Sequence, residues 1–425
     1  MSIQLLVIMV PVLFGLMGFA LDLGRLYLVR GELHQAANAM ALAAASQLIG
    51  TSASLDNATA AANRMLDDTN GTANKFNFGS LVAGSAAGAL TSTLQPAFFS
   101  TYTDAAAAAG NGADGTTATF AQINLTAEAP LLFWSLLPGG ESRRTSVVSR
   151  AVAGISAPLC TACGIEPFAV AAIDANDTVN FGFGDPTAAQ LYTFAFQCTG
   201  TTVVPTLPGT TGVVRYALLS RNDAASTFDE SQQLYRAGFS GTGPSTSANP
   251  TGSVVPLACF AINDASETLW LSPNLCGTAR AGVPEALCGL YSRFDSANPP
   301  GVCSTNVTGF TDLAGSNTQD TDIVTGLADP YSVYTGNGRR VVTLPIVNTL
   351  ASDVVGTMTV LGFRQFLLEP NQDGSFLNPS DNFGRFIVQY IGNPAPVRQG
   401  WFDDRFQLAC PLGGFSGPGK VVLHQ

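Results

Sequence analysis

The sequence predicts an α+β protein: a long N-terminal transmembrane α-helix, a small α+β unit, then a β-rich C-terminal domain with long loops. Three observations predict it. The N-terminus is an uncharged apolar run; a helical, alanine-rich stretch continues it; and from Phe76 onward short apolar runs alternate with clusters of Gly, Pro, Asn, Asp and Thr. At 425 residues the chain exceeds the usual size of one domain. We read it as 1–49, transmembrane and amphipathic helix; 50–157, small α+β domain; and 158–425, β-rich, disulfide-containing domain.

No charged side chain occurs from Met1 to Leu21. About twenty helical residues, at roughly 1.5 Å each, cross the hydrocarbon core of a bilayer. Pro11 removes one backbone hydrogen bond, which membrane helices tolerate. A cleaved signal peptide is the competing reading, because Gly18-Phe19-Ala20 loosely resembles small residues before a cleavage site. Against it, no basic region leads the run and the helical pattern continues without a break. Asp22 and Arg25 follow, one turn apart; they read either as a pair at the membrane edge or as two separate interfacial charges. Next, Leu26, Leu33 and Met40 recur every seven residues, with Ala37 and Ala44 at the half-period. That is a narrow, small-residue packing face, and its partner is either the chain's own globular part or a neighbouring subunit's helix. Arg25 and Arg30 on the C-terminal side of the span would by count place the body in the cytoplasm. The cysteines argue for an oxidising compartment instead, and a basic leader ahead of the run would restore that orientation.

Beyond the first helix, 54–68 reads as a second helix with Ser54 as N-cap and Asn70-Gly71 closing it. ATFAQINLTAEA and SVVSRAVAGI alternate as half-buried strands do, as does the short FNF near Phe76. Asp104 to Thr119, with its alanines and GNGADG, reads as a low-complexity loop. After Pro158 the runs PFAVAAI, LYTFAFQC, VVRYALL, RRVVTLPIV, GTMTVLGFRQFLL, GRFIVQYIG and KVVLH predict strands of a barrel or sandwich, without helical periodicity of useful length. Phe239 to Pro256 reads as a surface loop.

Charged residues are only 12% of the chain and the formal net charge is −11, with Lys75 and Lys420 the sole lysines. A phosphate backbone needs a basic surface, so nucleic acid is not an expected partner. His34 and His424 are the only histidines, which leaves too few for a catalytic triad or a histidine metal site in the body. Gly110, Gly112 and Gly115 spell Gly-x-Gly-x-x-Gly, yet alanines precede and threonines follow, where a dinucleotide site needs a strand before and a helix after. No enzyme activity is expected. Cys160, Cys163, Cys198, Cys259, Cys276, Cys288, Cys303 and Cys410 make an even count and read as a disulfide framework of unassigned pairing. Cys160-Thr161-Ala162-Cys163 lacks a second close pair for zinc and is followed by Gly164 and Pro167 instead of a helix. Glu369, Asn371 and Asp373 match the first positions of a calcium loop, with Gly374 at the sixth, but Ser380 holds the twelfth; an Asx-rich turn is the rival reading. Asp174, Asn176 and Asp177 are a weaker case of the same kind. Calcium is therefore the one metal considered, and no other cofactor is expected.

The stretch from Pro11 to Ala45 resembles the N-terminal signature of TadE/TadG-like pilus-assembly proteins of the tight-adherence (Tad, or Flp) system. The resemblance rests on the apolar span ending in Ala20, Asp22, Gly24 and Arg25, then Tyr27, then an Asn/Gln-rich start to an alanine run. It implies a structural or assembly component of a type IV pilus-like system, a minor pilin or a membrane-anchored assembly protein. The implied partners are the membrane and other pilus subunits reached through the N-terminal helix, or further copies of the same chain. It also implies a single-pass inner-membrane protein with a periplasmic body, or a cell-surface pilus subunit, with a pilin-like small domain. Leu5 stands where major pilins carry an acidic residue. An anchored adhesin or binding protein unrelated to pili is the alternative.

Overall fold

The computed structural model describes residues 2–66, 96–108, 112–131, 144–156, 161–163, 166, 168–198, 203–218, 259–261, 265–269, 283–295, 300–303, 319–322, 330–350, 355–397 and 417–424. The chain divides into two compact units. Unit 1 comprises Met1–Leu48, Ser54–Ile155 and Val421–Gln425; unit 2 comprises Ile49–Ala53 and Ser156–Lys420. Three short pieces thus depart from the division expected at residues 157/158: Ile49–Ala53 and residues 156–157 join unit 2, and the C-terminal strand joins unit 1.

Unit 1 is a helix layer on an antiparallel sheet. Helix α1 (Ser2–Ala45) runs unbroken for 44 residues, and α2 (Ser54–Leu66) follows. The sheet consists of β1 (Ala97–Phe99), β2 (Phe120–Pro130), β3 (Arg144–Ile155) and β13 (Val421–His424), in that order. Strands β2 and β3 pair over eleven residues from Phe120↔Gly154 to Pro130↔Arg144. Strand alternation sends Ala121, Ile123, Leu125 and Ala127 to the core while Asn124 faces solvent. Opposite them sit Leu33, Ala37, Met40, Ala41 and Ala44 of α1, with Ala58 and Ala62 of α2 completing the cluster. Alanines on both layers let backbones approach closely, which is why a stripe so poor in bulk still closes a core.

The segment from Asp104 onward begins as a short helix, α3 (Tyr102–Ala107), where the sequence suggested only a loop. An N-cap at Thr101 explains it. Thr101 Oγ1 accepts from the Asp104 backbone N–H at 3.2 Å and donates to Asp104 Oδ2 at 2.7 Å. Gln122 Nε2 and an Arg150 guanidinium nitrogen both donate to the Ala105 carbonyl near the helix end.

Unit 2 is a barrel. Strands β5 (Phe168–Ala171), β6 (Leu191–Phe196), β7 (Val213–Leu218), β10 (Val341–Val347), β11 (Val355–Glu369) and β12 (Phe386–Gly392) run round in the order β10-β5-β7-β6-β12-β11, and β11 pairs back onto β10. The 15-residue β11 makes closure possible. Its first residues pair with β9 (Ala265–Leu269), its middle and end with β10, and its last residues also with β12. Register shifts at Ile346/Val347 and Gln365/Phe366 supply bends of the sort closed sheets use. A separate two-stranded ribbon pairs β4 (Thr161–Cys163) with β8 (Cys259–Ala261). The core is aromatic: Phe194 and Phe366 meet edge-on at 5.1 Å, Phe168 and Tyr216 at 5.3 Å, and Phe183 stacks on Tyr390 at 5.2 Å.

Helix α4 (Val283–Tyr291) was not foreseen. Its Val283, Ala286, Leu287 and Leu290 are spaced to bury one face, and all four lie in the barrel core. Cys288 on this helix is bridged to Cys303, 15 residues on. Closing a loop of that length limits the unfolded chain by about 3 kcal/mol. Replacing both Cys288 and Cys303 with Ser is expected to lower unit 2 stability by roughly 2–4 kcal/mol in urea unfolding followed by tyrosine and tryptophan fluorescence, with an unchanged fold by far-UV circular dichroism.

Candidate functional site: the N-terminal helix and a buried charge cluster

At about 1.5 Å per residue α1 is roughly 66 Å long, and its two halves differ. From Leu33 to Ala45 one face is sealed against β2, β3 and α2. Toward the N-terminus the apolar side chains are bare: Phe14 is 60% exposed, Leu16 and Met17 62%, and Leu21 68%. Consecutive residues turn by about 100°, so these side chains point all round the helix. Exposed apolar side chains on every side of a helix mark a surface suited to lipid or to another apolar partner. The stretch Val12–Ala45 is long and apolar enough to cross a membrane.

Asp22 is buried and Arg25 half-buried, and each has a polar or electrostatic interaction. They mark the end of the uncharged run. Of the packing face, Leu33, Ala37, Met40 and Ala44 are fully buried in unit 1, while Leu26 is half-buried. The stripe from Leu33 onward is therefore occupied by the chain's own sheet. His34 lies beside it, Nδ1 3.4 Å from Ser149 Oγ. His424 is half-buried and packs on the Tyr102 and Phe120 rings at 5.0 and 5.1 Å.

Among the cysteines, Cys288 and Cys303 are joined and Cys198 is disulfide-bonded. Backbone register sets Cys163 opposite Cys259. Cys160, Cys276 and Cys410 lie outside the described residues, as do Phe76 and 239–256. The glycines of the Gly-x-Gly-x-x-Gly run follow α3 and precede β2, the reverse of the order a dinucleotide site requires.

The calcium-loop candidates are held apart in role. Asp373 is exposed and closes a turn, its Oδ1 accepting from Ser375 N at 2.9 Å and Ser375 Oγ at 2.6 Å; the Ser375 hydroxyl, before the backbone bond, holds its carboxyl below the usual range. Asn371 donates to Ser375 Oγ and the Phe376 carbonyl in that turn. Glu369, by contrast, is buried at the end of β11 with Oε2 3.6 Å from Arg340 Nη1. Asp177 likewise serves its own loop: the backbone N–H groups of Gly182, Asn180 and Val179 bond its carboxylate and lower its pKa. Among the described residues no group of three or more His, Cys, Asp or Glu is arranged to hold a metal.

Sequence reasoning missed the charges inside unit 2. Arg340, 1% exposed, faces Glu369 and Asp322 and donates from Nη1 to the Leu368 carbonyl at 3.0 Å. Arg293 is paired at 3.2 Å with Glu166, whose Oε2 accepts from Thr343 N at 2.9 Å. Arg364 stacks 4.4 Å over the Phe181 ring and donates to the Val179 carbonyl. These ions bring together positions up to nearly two hundred residues apart, and no local pattern signals them.

Residues 2–47 match the family described as putative Flp pilus-assembly TadE/G-like. The matched segment coincides with α1, in agreement with the resemblance carried by Ala20, Asp22, Gly24, Arg25 and Tyr27. No curated protein and no solved structure matches the chain.

The two halves of α1 should respond differently to truncation. Leu33→Ala or Met40→Ala should cost unit 1 about 2–5 kcal/mol through the cavity left in the core, whereas Tyr27→Ala, at a 78% exposed position, should change stability by no more than about 0.5 kcal/mol. Thermal unfolding in detergent micelles measures both.

Proposed function

We propose that the chain is a non-enzymatic structural or assembly component of a Tad/Flp pilus system, anchored in the membrane by the first half of α1. Its two globular units face away from the cytoplasm and bind other pilus subunits. One observation carries this reading: the segment matched to the pilus-assembly family is the same helix whose described large apolar side chains from Met9 to Leu21 are exposed. Burying that surface in water-free surroundings is worth about 25 cal/mol per Å², and lipid or the helices of other subunits supply such surroundings. The disulfides support an oxidising compartment. The role assigned needs no catalytic group and no resident cofactor.

Cell fractionation combined with mechanical shearing tests the assignment. The full chain should stay with membranes through alkaline carbonate extraction, dissolve in detergent, and become extractable by carbonate when Phe14, Leu16 and Met17 are replaced together by Gln. Presence in the sheared pilus fraction identifies a shaft or tip subunit, and confinement to the membrane pellet an anchored assembly protein. Release of the unaltered chain by carbonate alone would overturn the anchor.

A further inference from the structure

Inside unit 2 one cation faces three acids. The Arg340 guanidinium lies 3.6 Å from Glu369 Oε2 and 3.7 Å from Asp322 Oδ2. The backbone N–H of Arg340 donates at 2.9 Å to Asp320 Oδ2, which also accepts the Tyr334 hydroxyl. The neighbouring Arg293–Glu166 pair is already balanced, and its Arg293 carbonyl accepts from Asp320 N at 2.7 Å. Arg340 therefore meets the charge of one acid only. Glu369 Oε1 is buried with no hydrogen-bond partner among the described residues, the mark of a group whose charged form is poorly accommodated.

This cluster holds the segment that in turn holds the α1–α2 connection. Tyr334 stacks on Tyr331, centroids 5.8 Å apart, and the Tyr331 hydroxyl donates to the Ile49 carbonyl at 2.7 Å. Ser52 N donates to the Ser332 carbonyl at 2.8 Å. Residues 331–334 thus grip Ile49 and Ser52, and Asp320 and Arg340 grip Tyr334, with the Arg340 guanidinium 5.2 Å from the Tyr334 ring centre.

We propose that the cluster is a proton-operated latch on Ile49–Ala53: with Glu369 protonated the Tyr331–Tyr334 segment is clamped and the connection is held, and loss of that proton loosens it. When Glu369 is neutral the cluster carries one net negative charge, and Arg340 is free to serve Asp322 and the Tyr334 ring. Ionisation adds a second negative charge in a buried space, draws Arg340 toward Glu369 and repels Asp320 and Asp322.

Burial pushes the Glu369 carboxyl from 4.5 up to about 8, Arg340 opposing and Asp322 and Asp320 adding to the rise. A raised carboxyl pKa means that the closed state holds the proton more tightly than the open one. The clamp is strongest in acid, weakens as pH climbs from the ordinary carboxylate range toward 8, and levels off above it. Between pH 6 and 8 the open population should grow by roughly fiftyfold for a shift of that size.

Hydrogen exchange with mass spectrometry on the full chain in detergent micelles tests the latch, reading peptides spanning 49–53 and 330–340 after correction for intrinsic exchange. Protection in the unaltered protein should fall by tens-fold from pH 6 to 8 and then level off. In Glu369→Gln it should be flat. Asp322→Asn, which keeps Glu369 but removes one repelling acid, should give a smaller fall at lower pH. Unchanged protection in the native protein between pH 6 and 8, or an equal fall in Glu369→Gln, overturns the proposal. Should Glu369→Gln fail to fold, an undiminished fall in Asp322→Asn overturns it too.

Discussion

Everything in unit 1 depends on α1 being one unbroken helix that serves two surroundings. Its backbone stays helical from Ser2 to Ala45, losing one hydrogen bond at Pro11. Its side chains change partner along the way. Beyond Leu33 a stripe of Leu, Ala and Met is closed by the antiparallel sheet, whereas the described large apolar side chains from Met9 to Leu21 are exposed. Because helical hydrogen bonds are internal to the segment, such a rod crosses from water to lipid with its backbone polar groups paired, save for the one bond lost at Pro11. The charges at Asp22 and Arg25 sit where the change of surroundings is expected.

The units fill their interiors by opposite means. Unit 1 buries alanines, each of which removes little apolar area, so its cohesion comes from close backbone approach over a long contact. Unit 2 buries phenylalanines and tyrosines in a closed ring of strands that leaves those strands no edge within the barrel. It also carries arginines at 1–3% exposure. A buried ion of this kind persists only when hydrogen bonds and counter-charges offset its desolvation. Arg293 and Arg364 meet that condition with one acid or a set of carbonyls and a ring. Arg340 meets it with an excess of acid, and that excess distinguishes its surroundings from theirs.

What was legible in the sequence followed from local patterns. The apolar run of α1 and the alternation of Ala121 to Ala127 each state a period within a few turns or pairs, and both the α+β class and the strands β2 and β3 came from them. A barrel was one of two architectures read from the runs after Pro158; closure itself depends on the 15 residues of β11 finding β9, β10 and β12. Helix α4 did leave a trace in the spacing of Val283, Ala286, Leu287 and Leu290, but nine residues amid Gly and Pro gave it little weight. The membership of Val421–His424 in the first sheet had no local sign, since its partner Val152–Ile155 lies some 270 residues upstream. The oxygen-rich spacing around Asn371 and Asp373 drew Glu369 toward a metal reading, while its actual neighbour, Arg340, is set by strand register across the barrel wall.

In the proposed anchoring the first half of α1 lies in lipid while its second half lies in protein. Paramagnetic accessibility measures this most directly, with spin labels carried on a noncanonical residue at Phe14, Met17, Tyr27 and Met40 in lipid nanodiscs. Relaxation by oxygen but not by a water-soluble nickel chelate is expected at Phe14 and Met17, by the chelate at Tyr27, and by neither at Met40. Chelate accessibility at Phe14 and Met17 equal to that at Tyr27 would contradict it.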